Sequence, residues 1–221
     1  MTISHSNAEK RRERERQARR KAILDAARGV FFEKGLMAAT VDEIAARSGL
    51  AKGTIYLYFQ SKEEIYASLM VEGTLLLKGA MEKAVRPALP GERLLDRLLK
   101  VYAGFYRRHP AYFRILFLSS HPDIQAKVSE EMAERCIESG TMCLDVVAGV
   151  LRRGIAAGEF RRVDPWGTAV ILWAMVNGVI LIYDQDPRHP EWIGLTLETL
   201  LKKGLDLSLR GIRAVAPSGK G

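Results

Sequence analysis

The 221-residue chain reads as an all-α protein of about nine helices, and three observations carry that expectation. Apolar residues recur at i, i+3, i+4 and i+7 along most of its length. No stretch alternates strictly between apolar and polar residues between hairpin turns, the pattern of a half-buried strand. Two capping boxes, Thr40-Val41-Asp42-Glu43 and Ser61-Lys62-Glu63-Glu64, mark helix starts by a hydroxyl with a carboxylate downstream. At 48% apolar and 27% charged, the chain supports a sizeable core and is neither disordered nor collagen-like.

Residues 1–20 form a basic arm, and Lys10–Lys21 (KRRERERQARRK) holds eight basic residues and two glutamates. Two readings stand for it. One is an arm that follows phosphates or enters an adjacent minor groove. The other is a solvated charge run that extends the first helix, supported by the i,i+4 pair Glu15–Arg19. Ile23, Ala26, Ala27, Val30 and Phe31 then make one apolar stripe, which Gly35 can close. Thr40 opens a short helix that ends at Gly49, a residue free to take the positive φ of a helix exit. A third helix runs from about Lys52 to Phe59, and the Ser61 box opens a longer one towards Val85.

Beyond Pro87 and Pro90-Gly91, Leu94 to Tyr106 mark a helix that ends before His109-Pro110. Tyr112–Leu118 is a short aromatic helix. Ile124–Ala157 is one long helix or two, with Gly140 as the weak point. Pro165–Tyr183 carries no charge, and its length reaches the range of a membrane span. Pro165, Gly167, Thr168, Asn177 and Gly178, acidic flanks and the lack of a second span favour a buried helix and no membrane. The last helix runs from about Pro190 to Leu209, and 214–221 is a disordered tail. The expected division is thus an arm (1–20), a module of short helices (21–65), a larger helical body (66–213) and the tail.

Charge follows that division. Overall, 34 Lys and Arg exceed 26 Asp and Glu by eight; residues 1–62 hold 13 of the former and seven of the latter, so +6 of the +8 lies there. A basic module on a nearly neutral body points to a polyanionic partner for that module alone. The N-terminus has no apolar segment of a secretory signal, so a cytoplasmic protein is expected.

Three short helices, the second and third joined by Ser48-Gly49-Leu50-Ala51, make a helix-turn-helix, whose later helix enters the major groove. At 100° per residue, Ile55 and Phe59 face inward while Gly53, Thr54, Tyr56 and Leu57 face outward. Gly53 allows close backbone approach. Thr54 and Tyr56 can bond base edges, and Lys52 suits a guanine edge or a phosphate. Thr40 and Lys62 stand at helix N-termini, where free amides and the dipole favour phosphate. Tyr58 can reach the backbone with its hydroxyl.

The run Ile23-Leu24-Asp25-Ala26-Ala27, Phe31-Phe32-Glu33-Lys34-Gly35, Thr40 to Ala45, Ser48 to Phe59 and Ser61-Lys62-Glu63 closely resembles the TetR family of bacterial transcriptional regulators. The resemblance covers about forty-five residues. It implies an all-helical homodimer whose N-terminal helix-turn-helix binds a palindromic double-stranded operator, and a C-terminal domain that dimerises and binds a small-molecule effector. Carried over by position, Thr40, Tyr58 and Lys62 hold phosphates, while Lys52, Thr54 and Tyr56 approach bases. Leu57 departs from the pattern, since members often carry His or another polar residue there.

In the body, the uncharged helix is apolar around most of its circumference and needs cover on more than one side. The final helix, with Ile193, Leu197, Leu200, Leu201 and Leu205, offers a second stripe. These last two helices are expected to pair with their symmetry mates in a four-helix interface. Tyr102, Phe105, Tyr106, Phe113, Phe117, Met142, Trp173 and Asn177 are candidates for a pocket taking an apolar or aromatic effector, though their spacing serves a core equally. No catalytic group, metal site or cofactor is expected: the four histidines share no metal spacing, and there is no phosphate-binding glycine loop or nucleophile elbow. Cys136 and Cys143 lie too far apart along one helix to bridge. Two other readings are an effector-independent helical DNA-binding protein and a helical enzyme with a basic tail; sequence preference and turnover would separate them.

Overall fold

The computed structural model describes residues 3–118, 126–184 and 188–214. Among them are ten helices and no strand, with one isolated bridge between Phe160 and Arg213. In chain order the helices are α1 (Ile3–Ala38), α2 (Val41–Ser48), α3 (Lys52–Tyr56), α4 (Lys62–Ala84), α5 (Gly91–Arg108), α6 (Pro110–Leu118), α7 (Glu130–Ala156), α8 (Pro165–Asp184), α9 (His189–Ile193) and α10 (Leu197–Ile212).

Local chemistry accounts for the boundaries. The basic arm is not a separate element: α1 runs through it, and side-chain bonds one turn apart (Arg11–Glu15, Gln17–Glu13) support the extension. Gly35, at φ 74°, breaks the helix near its end, where no other residue type sits comfortably. Thr40 caps α2 in a full capping box, and Gly49, at φ 67°, closes it. α7 passes through Gly140 as a single helix, and the expected start at Ile124 lies outside the described residues. The final segment is two helices rather than one. Gly194 turns left-handed at φ 67°, and Thr196 starts α10 by accepting the Thr199 amide. The expected tail, from residue 215 onward, also lies outside the described residues.

The chain divides into two compact units. One draws on residues up to Gly73 and on Ala111–Ile137; the other on Thr74–Pro110 and everything from Glu138. In the first, Ile23, Ala27 and Phe31 of α1, Ile44 of α2, Ile55 of α3 and Ile65, Tyr66 and Leu69 of α4 are buried together. The Phe31 and Tyr66 rings meet edge-to-face at 5.3 Å. Ala67 and Val71 pack with Met132, which ties α7 to the same core.

In the second unit, Leu94, Leu98, Leu151, Ile180, Leu201 and Leu205 are buried. The Phe160 ring fills a slot that exists because Gly91 and Gly154 lack side chains: a Cβ there would lie 2.7 Å and 2.3 Å from the ring. α8 packs along α10, where Gly204 leaves room for the Met175 sulfur. α8 is long and apolar enough to cross a membrane by length and composition. Within the single chain it buries Ala169, Leu172, Val176, Asn177 and Ile180 and leaves Ile171 65% exposed. The buried helix expected of this segment is therefore buried along one side only.

Candidate nucleic-acid interface

The turn between α2 and α3 fixes which way α3 faces. Leu50 donates its amide to Ala45 and Phe59 donates to Ile55, so Ile55 and Phe59 are drawn into the core. Gly53, Tyr56 and Leu57 are left on the outside, with Thr54 and Tyr58 half-buried beside them. Tyr56 is 48% exposed and Leu57 80% exposed. A Cβ at Gly53 would meet nothing within 4 Å, so internal packing places no demand for glycine there.

The flanking polar residues are already engaged. Thr40 accepts the Glu43 amide at 3.3 Å and gives its own amide and hydroxyl to the Glu43 carboxylate. The Lys34 ammonium, followed by these bonds from Thr40, holds that carboxyl below its ordinary range. Lys52 bonds Asp42 at 2.8 Å, which raises the lysine's pKa. That carboxylate, one helix back, is a partner the local spacing did not reveal.

Lys62, expected to hold a phosphate, is engaged by the backbone of its own chain. Its ammonium donates to the carbonyls of Leu36 at 2.9 Å, Met37 at 3.2 Å and Ala39 at 2.9 Å. An ammonium has three hydrogens, and all three are spent. These carbonyls follow the break at Gly35, so Lys62 ties down the turn that leads from α1 to Thr40 and α2.

Further anchors join residues far apart in sequence and carry no local signal. Arg20 lies over the Phe59 ring, 4.9 Å from its centroid, and bonds the Ser68 hydroxyl. Glu72 of α4 accepts both Arg28 of α1, at 2.6 Å, and the Tyr112 hydroxyl of α6, at 2.8 Å. These bonds tie α6 to the helix-turn-helix within one unit.

Of the expected effector residues, Tyr102, Trp173 and Asn177 are joined by side-chain hydrogen bonds. Tyr102 donates to Asn177 Oδ1 at 2.6 Å and also bonds the Trp173 side chain, and burial pushes its phenol far up. Tyr106 instead reaches Asp184, Phe105 is buried against the His109 ring, and Met142 is half-buried. Phe113 belongs to the first unit, and the Phe117 side chain lies outside the described residues. A groove of about 360 Å³ runs along Glu82, Val85, Asp145, Val146, Gly149, Val150 and Arg153, and holds none of them. Both cysteines are free; burial pushes the Cys143 thiol up to about 11 and raises Cys136 too, so neither is a ready thiolate nucleophile.

Comparison with known proteins gives this geometry a context. Residues 23–69 match the family model of bacterial regulatory proteins of the tetR family, and residues 95–192 match a tetracyclin repressor-like C-terminal domain. The fatty acid metabolism regulator protein of Bacillus subtilis is 31% identical over 142 residues, covering 63% of this chain and 69% of that protein. An uncharacterized HTH-type transcriptional regulator of the same organism, YhgD, is 28% identical over 191 residues, covering 85% and 96%. The crystal structure of the TetR family transcriptional regulator PfmR from Thermus thermophilus superposes with a TM-score of 0.65 at 28% identity, covering 85% of this chain and 97% of that one.

Proposed function

Because the chain belongs to the tetR family of bacterial regulatory proteins, and is therefore a DNA-binding transcriptional regulator, we propose that it acts as a cytoplasmic homodimeric repressor. Each protomer presents α3 to one half of a palindromic operator. Lys52, Gly53, Thr54 and Tyr56 meet base edges, and Thr40 and Tyr58 meet phosphates. Lys62 holds the turn that carries Thr40. The observation that carries this reading is the outward face of α3, on which Gly53, Tyr56 and Leu57 stand exposed while Ile55 and Phe59 are buried.

Dimerisation through α8 and α10 is supported by the side of α8 that its own chain leaves open. Release of the operator by an apolar or aromatic effector is supported by Tyr102, Trp173 and Asn177, which put a few polar atoms among aromatic walls. A relative named for fatty acid metabolism agrees with an apolar effector.

The test is binding of the full-length protein to duplexes enriched from a randomised pool, followed by fluorescence anisotropy across a salt series. If a dimer neutralises about eight phosphates, log K against log[salt] falls with a slope near −7. A slope near zero refutes DNA binding by this module.

A further inference from the structure

The outward face of α3 carries a side chain that neither phosphate binding nor the core explains. Leu57 caps the helix in αR geometry, with its amide bonded to Thr54, and is 80% exposed. An isobutyl group cannot bond a phosphate, and the buried side of the helix is already filled by Ile55 and Phe59. One turn earlier on the same side stands Gly53, with open space where a Cβ would be. At 3.6 residues per turn, Gly53, Thr54 and Leu57 form one uncharged strip, with Lys52 at the helix start beside it.

In the major groove, thymine alone projects a methyl group, its C5-methyl, whereas cytosine has only a C5 hydrogen there and the purines present mainly polar atoms. We infer that Leu57 is a specificity-determining residue that packs on the C5-methyl of a thymine in each operator half-site. This rests on α3 being the recognition helix. The gap at Gly53 lets the backbone come close enough for a short contact, and the basic charge of residues 1–62 brings the duplex in. Leucine in place of a polar residue thus exchanges a hydrogen-bonding readout for a methyl readout at that step.

The test uses the full-length protein and the duplex it enriches from a randomised 30-base-pair pool. Thymines are replaced one at a time by deoxyuridine, which keeps base pairing and removes only the methyl. Losing one buried methyl-sized contact weakens binding about fourfold per half-site. Wild type should show that loss at one thymine position per half-site. Leu57→Ala should bind more weakly overall, unfold at the wild-type temperature, and no longer distinguish thymine from uracil at that position. Leu57→Met, which keeps the apolar reach, should retain the distinction. Wild-type indifference to every replacement overturns the inference, as does an unchanged thymine-to-uracil ratio in Leu57→Ala; in either case DNA binding itself stands. Failure to enrich any duplex overturns the reading of α3 and the methyl contact with it.

Discussion

Replacing Lys62 by methionine separates two roles for one lysine. Methionine nearly preserves the length and apolar stem and removes the ammonium that bonds three carbonyls between Gly35 and Thr40. Two of those bonds, to Leu36 and Ala39, are partly buried, whereas the one to Met37 is exposed and easily replaced by water. Bonds to a charged group contribute about 1.5–3 kcal/mol each when sheltered, and partial exposure roughly halves that, for a loss of ~1.5–3 kcal/mol. For a chain of this size that lowers the unfolding midpoint by about 3–12 °C. Thermal unfolding and a salt titration of operator affinity are the paired assays. A lysine spent on the turn gives the lowered midpoint with the salt slope unchanged. A lysine spent on phosphate gives an unchanged midpoint and a slope shallower by ~0.9 per protomer. The second result would refute the role in the turn.

Other perturbations follow from the same geometry. Tyr102→Phe removes the hydroxyl that bonds buried Asn177, which should cost ~1–3 kcal/mol by chemical denaturation, and adding Asn177→Leu should recover part of it. Ile171→Asp puts a charge on the open side of α8; light scattering at micromolar concentration should then report a monomer, with operator binding weakened. The guanidinium of Arg213 beside Glu92 holds that carboxyl below its ordinary range. A depressed folded pKa means its stabilisation is complete above the unfolded value of about 4.3 and is lost as pH falls through the folded one. Glu92→Gln should therefore flatten the dependence of the unfolding midpoint on pH in the acid range.

The helices were legible because their signals are local: an apolar stripe, a capping box, a glycine at an exit. Gly49 and Thr40 were read from a few residues of context, and the structure uses both as read. The split between α9 and α10 was missed because Ile193 and Leu197 keep helical spacing across Gly194, so periodicity outweighed one glycine. The carbonyl partners of Lys62, the Glu72 partner of Arg28 and the Asn177 partner of Tyr102 could not be read at all. They lie 23–26, 44 and 75 residues away, and no sequence periodicity spans those separations. For the same reason the aromatic candidates of the body looked like one set. Helical spacing shows which residues leave a helix on the inner side, not which helix meets them, and Phe113 proves to belong to the unit that holds the helix-turn-helix.

The distribution of charge and apolar surface bears on how such a repressor would be switched. On α8, Ile171, Ala174, Gly178 and Leu181 fall within about 80° of arc; on α10, Leu200, Leu207 and Gly211 fall within about 40°. Neither strip contains a charge, and Ile171, Leu181 and Leu207 are exposed in the single chain. Water is a poor partner for such faces, and a two-fold copy of the same faces is a good one, since an isologous contact uses identical patches. For two recognition helices to enter the groove together, their separation must match one DNA turn, roughly 34–36 Å. The effector then has a modest task. Weakening operator binding tenfold requires only about 1.4 kcal/mol of preference for a spacing that does not fit.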